Sequence, residues 1–195
     1  DAMNDSATTD EDTFVDVDVL ANDTDINGDL DASSLSVDTQ PANGTASVVG
    51  GQIRYTPDPD FVGTDSFTYE ICDLTSPTPL CSTATVDITV NSVNDGPVAA
   101  DDSDTVDEDS SVTVVVLGND TDVDDGLDPA SVTVTGGPTS GSVSVNPDGS
   151  IDYTPDPDFF GSDSFSYEVC DLAGDCDTAQ VDITVNSVND GPDAV

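Results

Sequence analysis

The sequence predicts an all-β fold made of two tandem seven-stranded Greek-key β-sandwiches joined end to end. Three observations support this fold class. The 195-residue chain repeats itself after roughly one hundred residues, which is about the size of one domain. Apolar residues alternate with polar ones in short runs, as in half-buried strands, and no segment has helical periodicity. Turn residues separate these runs roughly every eight to twelve residues, as in a sandwich.

The repeat is marked by three pairs of matching segments and by a duplicated linker. Glu11-Asp12 recurs 97 residues later, the Tyr-Thr-Pro-Asp-Pro-Asp-Phe run from Tyr55 recurs 98 residues later, and the Val-Asp-Ile-Thr-Val run from Val86 recurs 95 residues later. Asn-Ser-Val-Asn-Asp-Gly-Pro stands at 91–97 and again at 186–192. We therefore expect domains at 1–97 and 98–195, each ending in one of these linkers. Repeats that stop at a linker also predict neighbouring repeats beyond it.

Seven strands are predicted in each repeat, and the second repeat shows them most clearly. They are 98–105, 112–116, 132–134, 143–145, 151–153, 164–169 and 181–185. The fourth and fifth form a hairpin, because the intervening Asp-Gly supplies a turn with positive φ; the first repeat uses Gly50-Gly51. In the first repeat, 15–19 and 35–37 correspond to the second and third strands.

The predicted sandwich is Ig-like without being an antibody domain. The chain has no tryptophan, and its cysteines lack the long spacing of antibody domains. Phe61 and Phe159, set among prolines, are expected to plug one end of each core. If successive strands run in opposite directions, their loops alternate between the two ends of the sandwich. We call the end where the chain enters a domain its N-terminal pole and the end where it leaves its C-terminal pole.

Composition restricts the partners. The chain has 42 acidic residues, one basic residue and no histidine, for a net charge of -41. This charge excludes nucleic acid and anionic lipid as partners and favours cations. Nearly all the acids are aspartates, the shorter and stiffer oxygen donor that tight loops use around calcium. We also expect neither a membrane-inserted segment nor a signal peptide in this sequence.

Strand order directs the acidic loops toward the joint between the repeats. Two unit charges about 4 Å apart repel by roughly 4 kcal/mol at an effective dielectric near 20, so a cluster of carboxylates at a joint must be neutralised by protons or by a metal ion. At neutral pH we expect the metal ion. Oxygen ligands without histidine or paired thiolates select calcium over zinc. The predicted ligands are Glu11, Asp12, Asp58, Asp60, Asn91, Asn94 and Asp95, together with Asn119, Asp120, Asp122, Asp124, Asp125 and Asp171.

A second calcium motif lies in the first repeat. Asp23, Asp25, Asn27 and Asp29 alternate as oxygen donors in a loop whose Gly28 allows a tight turn. Ser34 stands where an EF-hand would have its closing glutamate, which excludes an EF-hand. The alternative is that these are solvated turns, because Asp, Asn and Gly are also ordinary turn residues.

The four cysteines predict two local disulfides. Cys72 with Cys81 and Cys170 with Cys176 flank a loop that shortens from one repeat to the other while both cysteines remain. Each bridge would contribute roughly 2 to 3 kcal/mol by loop closure and would indicate an oxidising, extracellular environment. Pairs of buried free thiols are the alternative.

Several motifs carry a family resemblance. Glu-Asp-Thr at Glu11, Val-Leu-Ala-Asn-Asp-Thr-Asp from Val19, the long run from Tyr55 to Tyr69 and Val-Asn-Asp-Gly-Pro from Val93 resemble the cadherin-like, Ig-like tandem repeats of large secreted RTX-type bacterial surface adhesins. The resemblance covers both repeats. It implies extender modules at the cell surface, stiffened by calcium, that hold a distal binding domain away from the cell.

Three functions remain open from the sequence. The first is a calcium-rigidified spacer of an adhesin, supporting cell adhesion or biofilm formation. The second is a calcium-dependent module that binds a carbohydrate or a surface protein, and the third is a halophilic domain whose acids serve only hydration. No enzymatic activity is expected, because the chain lacks histidine and lysine as general bases, and a carboxylate pair arises by chance among 42 acids.

Overall fold

The computed structural model describes residues 1–75 and 77–189 and divides the chain into two domains. Domain 1 comprises Asp1–Val93 and domain 2 begins at Asn94, so the division falls inside the predicted linker 91–97. In the predicted linker 186–192, residues 190–192 lie outside the described part of the chain. The expected all-β class is confirmed, with seven strands in each domain over the described residues.

Domain 1 is a sandwich of a four-stranded and a three-stranded sheet. The strands pair in the orders β1-β7-β6-β3 and β2-β5-β4. They are β1 (Asp5–Asp10), β2 (Val15–Val17), β3 (Leu30–Thr39), β4 (Gly44–Val49), β5 (Gln52–Pro57), β6 (Gly63–Asp73) and β7 (Cys81–Asn91).

Domain 2 repeats this topology, with sheets ordered β8-β14-β13-β10 and β9-β12-β11. Its strands are β8 (Asp102–Asp107), β9 (Val112–Val114), β10 (Leu127–Gly136), β11 (Gly141–Val145), β12 (Ile151–Pro155), β13 (Gly161–Asp171) and β14 (Cys176–Asn186). A short 3-10 helix at Val116–Gly118 lies between β9 and β10.

The strand directions confirm the alternation on which the loop positions depend. The first and last strands of each domain pair in parallel, β1 with β7 and β8 with β14. All other pairs are antiparallel. The first and last strands therefore run in the same direction, as expected when each of the six connections between them reverses the direction of the chain. The loops after the first, third and fifth strands share the C-terminal pole, because the fifth loop contacts both others: in domain 1 the Asp60 N–H approaches Asp12 and the Asp58 N–H donates to the Asn43 carbonyl.

The core of each domain lies between its two sheets. Alternate residues of the long strands point inward, so Phe67, Tyr69 and Ile71 of β6 are almost fully buried. Phe61 and Phe159 pack against the two cores but remain partly exposed, so they only partly close them.

Two predicted strands of domain 2 include residues that lie outside the observed strands, whereas the other five lie within longer observed strands. The strand expected at 98–105 begins only at Asp102, because Val98 instead forms an isolated bridge with Thr121. The strand expected at 112–116 ends at Val114, since the Gly118 N–H bonds back to the Val115 carbonyl at 3.1 Å and starts the 3-10 helix. The matching strand of domain 1, expected at 15–19, also stops early, at Val17.

Both predicted disulfides are present. Cys72 and Cys81 are directly opposite on β6 and β7, and Cys170 and Cys176 on β13 and β14. Each bridge closes the loop between the last two strands at the N-terminal pole.

Candidate metal centres

Glu11 lies at the C-terminal pole of domain 1, directly after β1. Only 3% of its surface is exposed. Its N–H donates to the Asn91 carbonyl at 3.0 Å, and its Oε1 accepts the Val93 N–H at 2.6 Å. The second carboxylate oxygen, Oε2, is buried and has no hydrogen-bond donor among the described residues. A buried carboxylate oxygen without a donor is costly unless a cation or a proton neutralises it.

Asp12 and Asp60 meet at the same pole although they are distant in sequence. Both adopt the left-handed backbone conformation, with φ of 55° and 56°, which aspartate tolerates better than most residues. The Asp60 N–H lies 3.4 Å from Asp12 Oδ1. Asp58 is exposed in the same turn, and the Asn91 amide donates to Asp10 Oδ1 at 3.1 Å. The structure thus brings the domain 1 ligands predicted for the joint to one pole.

The same arrangement recurs at the C-terminal pole of domain 2. Glu108 is 6% exposed and its Oε1 accepts the Val188 N–H at 2.5 Å. Asp109 and Asp158 have φ of 61° and 58°, and the Asp158 N–H lies 3.4 Å from Asp109 Oδ1. The arrangement is therefore a property of the repeat.

Asp122 organises the acidic loop at the N-terminal pole of domain 2. Its Oδ1 accepts N–H groups from Asp124 at 3.2 Å, Asp125 at 3.0 Å and Gly126 at 2.7 Å. Its Oδ2 is buried and finds no donor within 1–75 and 77–189. Asp124 Oδ2 accepts the Asp95 N–H at 2.7 Å, which ties the linker to this loop.

Asn94 and Asp171 form a second contact between the linker and the N-terminal pole of domain 2. The Asn94 amide donates to Asp171 Oδ2 at 2.9 Å and to Asp175 Oδ2 at 2.7 Å. The Asn94 hydrogen bond lowers the pKa of Asp171, so this carboxylate is held in its charged form. Asp175 is an additional acid at this pole that the sequence did not single out.

Asp120 and Asp23 have a different environment from the other predicted ligands. Tyr167 donates its hydroxyl to Asp120, whose Oδ2 lies 2.9 Å away, and Tyr69 is placed in the same way against Asp23. The pKa of both tyrosines is raised, mainly by burial and to a smaller extent by the hydrogen bonds to these carboxylates. The amide of Asn119 donates to backbone carbonyls at 3.3 Å and 3.1 Å. These predicted ligands link the N-terminal segment of each domain to its core.

The loop motif of domain 1 forms a three-carboxylate cluster. Oxygens of Asp25, Asp29 and Asp73 all lie within 4.8 Å of one another. Asp25 Oδ1 accepts the Asn27 N–H at 2.8 Å, whereas Asp29 Oδ1 is buried with no donor among the described residues. The hydrogen bond with Asp25 raises the pKa of Asp29. Asp73 follows Cys72 as Asp171 follows Cys170, and this correspondence could have revealed it from the sequence.

The donor chemistry fits a hard divalent cation. Buried oxygens without a donor among the described residues include one each on Glu11, Asp29 and Asp122, and all are carboxylate oxygens. The chain has no histidine, and all four cysteines are in disulfides. Oxygen-only donor sets of this kind suit calcium and do not suit zinc.

Comparison with known proteins identifies the family. The profile of the bacterial Ig domain matches residues 1–89 and 94–184. The chain belongs to the bacterial Ig domain family. By sequence, no curated protein matches it. No helix among the described residues is long and apolar enough to span a membrane.

Solved structures similar to these bacterial Ig domains include cadherins. Human protocadherin-24 EC1-2 is 18% identical, with 96% of this chain and 95% of that chain covered and a TM-score of 0.55. Drosophila N-cadherin EC1-4 is 12% identical, with 94% of this chain and 49% of that chain covered and a TM-score of 0.53. An endo-fucoidan hydrolase of glycoside hydrolase family 107 is 20% identical over 96% of this chain, at a TM-score of 0.38. The chain spans 28% of that hydrolase and about half of the N-cadherin fragment.

The family and the fold confirm part of the resemblance. The chain consists of tandem bacterial Ig domains with a cadherin-like fold, a combination typical of surface proteins. Bacterial Ig domains that carry disulfides indicate a secreted or extracellular protein. The origin in an RTX-type adhesin stays a prediction.

Proposed function

We propose that the two domains are a calcium-rigidified extender of a bacterial cell-surface adhesin and support cell adhesion or biofilm formation. The observation that carries this proposal is the buried carboxylate of Glu11, whose Oε2 has no donor among the described residues. This oxygen lies where the chain leaves domain 1. Calcium there would neutralise the carboxylate and restrain the linker, whose Val93 N–H already bonds to the other oxygen.

The proposed ligands belong to two sets. Domain 1 would contribute Glu11, Asp12, Asp58, Asp60 and Asn91 from its C-terminal pole, and domain 2 would contribute acids of its N-terminal pole, chiefly Asp95, Asp122 and Asp124. Calcium held by both sets would oppose bending at the linker. In a longer array the partners would be neighbouring repeats of the same chain.

The cluster of Asp25, Asp29 and Asp73 favours a second candidate, calcium-dependent binding of a carbohydrate or protein at the N-terminal pole of domain 1. A sugar-binding loop commonly offers an exposed aromatic ring as a stacking platform. All four tyrosines are buried in the two cores, and the exposed rings of Phe14 and Phe160 lie at the C-terminal poles, away from this cluster. The spacer is therefore the better supported function, and we propose no enzymatic activity.

Small-angle X-ray scattering in calcium and in a chelator tests the spacer. We expect the maximum dimension to change and the interdomain distances to broaden when calcium is removed. Glu11→Gln, which keeps the side chain's shape but removes its charge, should weaken calcium binding in titration calorimetry and reproduce part of the chelator effect. Asp148→Asn is the control, because Asp148 is exposed in a hairpin turn and, among the described residues, its carboxylate accepts hydrogen bonds from Ser150 alone.

Two results would contradict the spacer. One is an identical scattering curve and melting temperature with and without calcium. The other is an equal response to sodium at matched ionic strength, which would instead support acids that serve only hydration.

A further inference from the structure

The edge strands β4 and β11 carry no charge, although the chain has 42 acidic residues. Their sequences are Gly-Thr-Ala-Ser-Val-Val and Gly-Ser-Val-Ser-Val. In the described part of the chain each strand pairs with a single neighbour, β4 with β5 and β11 with β12. Charged side chains commonly protect an edge strand against pairing with another chain. These two edges lack that protection.

Domain 1 covers its β4 edge with a glutamine side chain. Gln40 Nε2 donates to the Ala46 carbonyl at 3.1 Å, and the Ala46 N–H donates to Gln40 Oε1 at 3.0 Å. The amide occupies both backbone groups that Ala46, in the middle of β4, would offer to a neighbouring strand. These bonds also show that the N–H and C=O of Ala46 point away from β5.

Domain 2 leaves the same edge open. Val143 is paired with Tyr153 as Ala46 is with Tyr55, so its N–H and C=O also point away from the neighbouring strand. Gly137 stands where domain 1 has Gln40, and nothing lies within 4 Å of where its Cβ would be. Within 1–75 and 77–189, no side chain bonds to the Val143 backbone as Gln40 does to Ala46.

The charge beside the edge also differs between the domains. Asp152 lies opposite Ser144 on β12, where domain 1 has Arg54 opposite Ser47 on β5. Asp152 points outward, because its neighbours on the strand, Ile151 and Tyr153, are buried, and its Oδ1 accepts the Thr113 hydroxyl of β9 at 2.6 Å. An added strand would lie about 10 Å from β12, and a lysine or arginine side chain can cover most of that distance.

We propose that the β11 edge of domain 2 binds an extended, cationic peptide segment of a partner by strand addition. The partner's backbone would pair with the open N–H and C=O of Val143. A lysine or arginine on its outward face would lie near Asp152. The β4 edge of domain 1 does not bind this segment, because Gln40 blocks it and because Arg54, paired with Asp16, stands where domain 2 has Asp152.

The probe is a synthetic peptide of about nine residues that alternates lysine with valine. We expect it to bind one site per chain and to protect the Val143 N–H from hydrogen exchange measured by NMR. Gly137→Gln, which installs the cap of domain 1, should weaken binding at least about tenfold, whereas Gly137→Ala, the matched control, should bind normally. Asp152→Asn should weaken binding by about two- to fivefold, as expected for a partly exposed ion pair.

Thermal melts of each variant establish that it is folded. Equal affinity of Gly137→Gln and Gly137→Ala would overturn the proposal and indicate unspecific attraction to the acidic surface. The proposal would also be overturned if the peptide protected backbone N–H groups of β4 or β8 from hydrogen exchange instead of those of β11. Concentration-dependent dimerisation without peptide, with Val143 protected, would show that a second copy is the occupant and would contradict the cationic partner.

Discussion

The hydroxyl of Tyr153 donates to Asp163 Oδ2 across 3.0 Å in the interior of domain 2. The same carboxylate accepts the backbone N–H groups of Thr139, Ser140 and Ser164 at 2.9 to 3.0 Å. Asp163 therefore joins the loop between β10 and β11 to strand β13 and to the core. Asp65 has the corresponding contacts in domain 1.

Asp163→Asn should lower the free energy of unfolding of domain 2 by about 2 kcal/mol. In the variant, the NH2 group of asparagine replaces one of the two carboxylate oxygens. It then faces backbone N–H groups that donate to Asp163 in the wild type, so some buried N–H groups lose their acceptor. Denaturant titration followed by tyrosine fluorescence measures the change. Glu168→Gln, on the outward side of the same strand, should change stability by less than about 0.5 kcal/mol. A loss as large in Glu168→Gln would contradict the specific role of Asp163.

The Asp163 contribution should disappear in acid. Burial alone would raise the pKa of Asp163, but the hydrogen bonds from Thr139, Ser140 and Ser164 outweigh burial and lower the pKa below its usual value. The stability gained from a lowered carboxylate pKa is present above the unfolded pKa, near 3.9, and is lost as pH falls through the folded pKa. The difference between wild type and Asp163→Asn should therefore shrink steadily below about pH 4. A difference that stays constant down to pH 2 would refute this account.

Asp102 should have the opposite pH dependence. Burial raises its pKa to about 6, because its charged form is desolvated and lies near Asp120. The folded state then binds a proton that the unfolded state has released, so stability falls as pH rises from about 4 to about 6. Asp102→Asn should raise the free energy of unfolding at pH 7 by about 1 kcal/mol, a value discounted for the partial exposure of this site. At pH 4 the variant and wild type should differ little, and an equal gain at both pH values would exclude the titration.

Trypsin should report the opening of domain 1 alone. Arg54 is the only lysine or arginine in the sequence, and it lies on β5 between β2 and β4. Its guanidinium bonds to Asp16 with two contacts of 2.8 Å and lies 3.8 Å from the centre of the Phe14 ring. The folded chain should resist cleavage, and the cutting rate should follow the population of opened domain 1. Asp152→Arg is the control, because it places a second cleavage site at the corresponding position of domain 2. Rapid cleavage of the folded wild type at Arg54 would contradict the expected resistance to trypsin.

Much of the fold follows from local patterns in the sequence. Two-residue alternation such as that of Phe165, Tyr167 and Val169 identifies a strand because inward residues must be apolar. Each cysteine pair closes a short loop between adjacent strands, so sequence spacing was enough to predict the bridge. The strand at 98–105 was misjudged because a hydrogen-bonded bridge such as that between Val98 and Thr121 leaves no periodic pattern.

The candidate site was harder to predict, because its contacts join distant segments. The sequence placed Asp120 among the ligands, but its bond to Tyr167 depends on packing across 47 residues. The left-handed turns that bring Asp12 to Asp60 are equally invisible to residue type alone, since aspartate occupies several turn conformations. Counting acids selects loops, but it does not distinguish the acids that face the core from those that face solvent.

The parallel pairing of β1 with β7 determines how domain 1 would bear tension. The chain enters at one end of β1 and leaves at the opposite end of β7, and six residue pairs join these strands from Asp5–Val86 to Asp10–Asn91. A pull on both ends of the domain would drag these strands past each other along their length. All the backbone bonds between them would then be loaded together in shear, so the domain would yield at a higher force than a sheet that unzips one bond at a time.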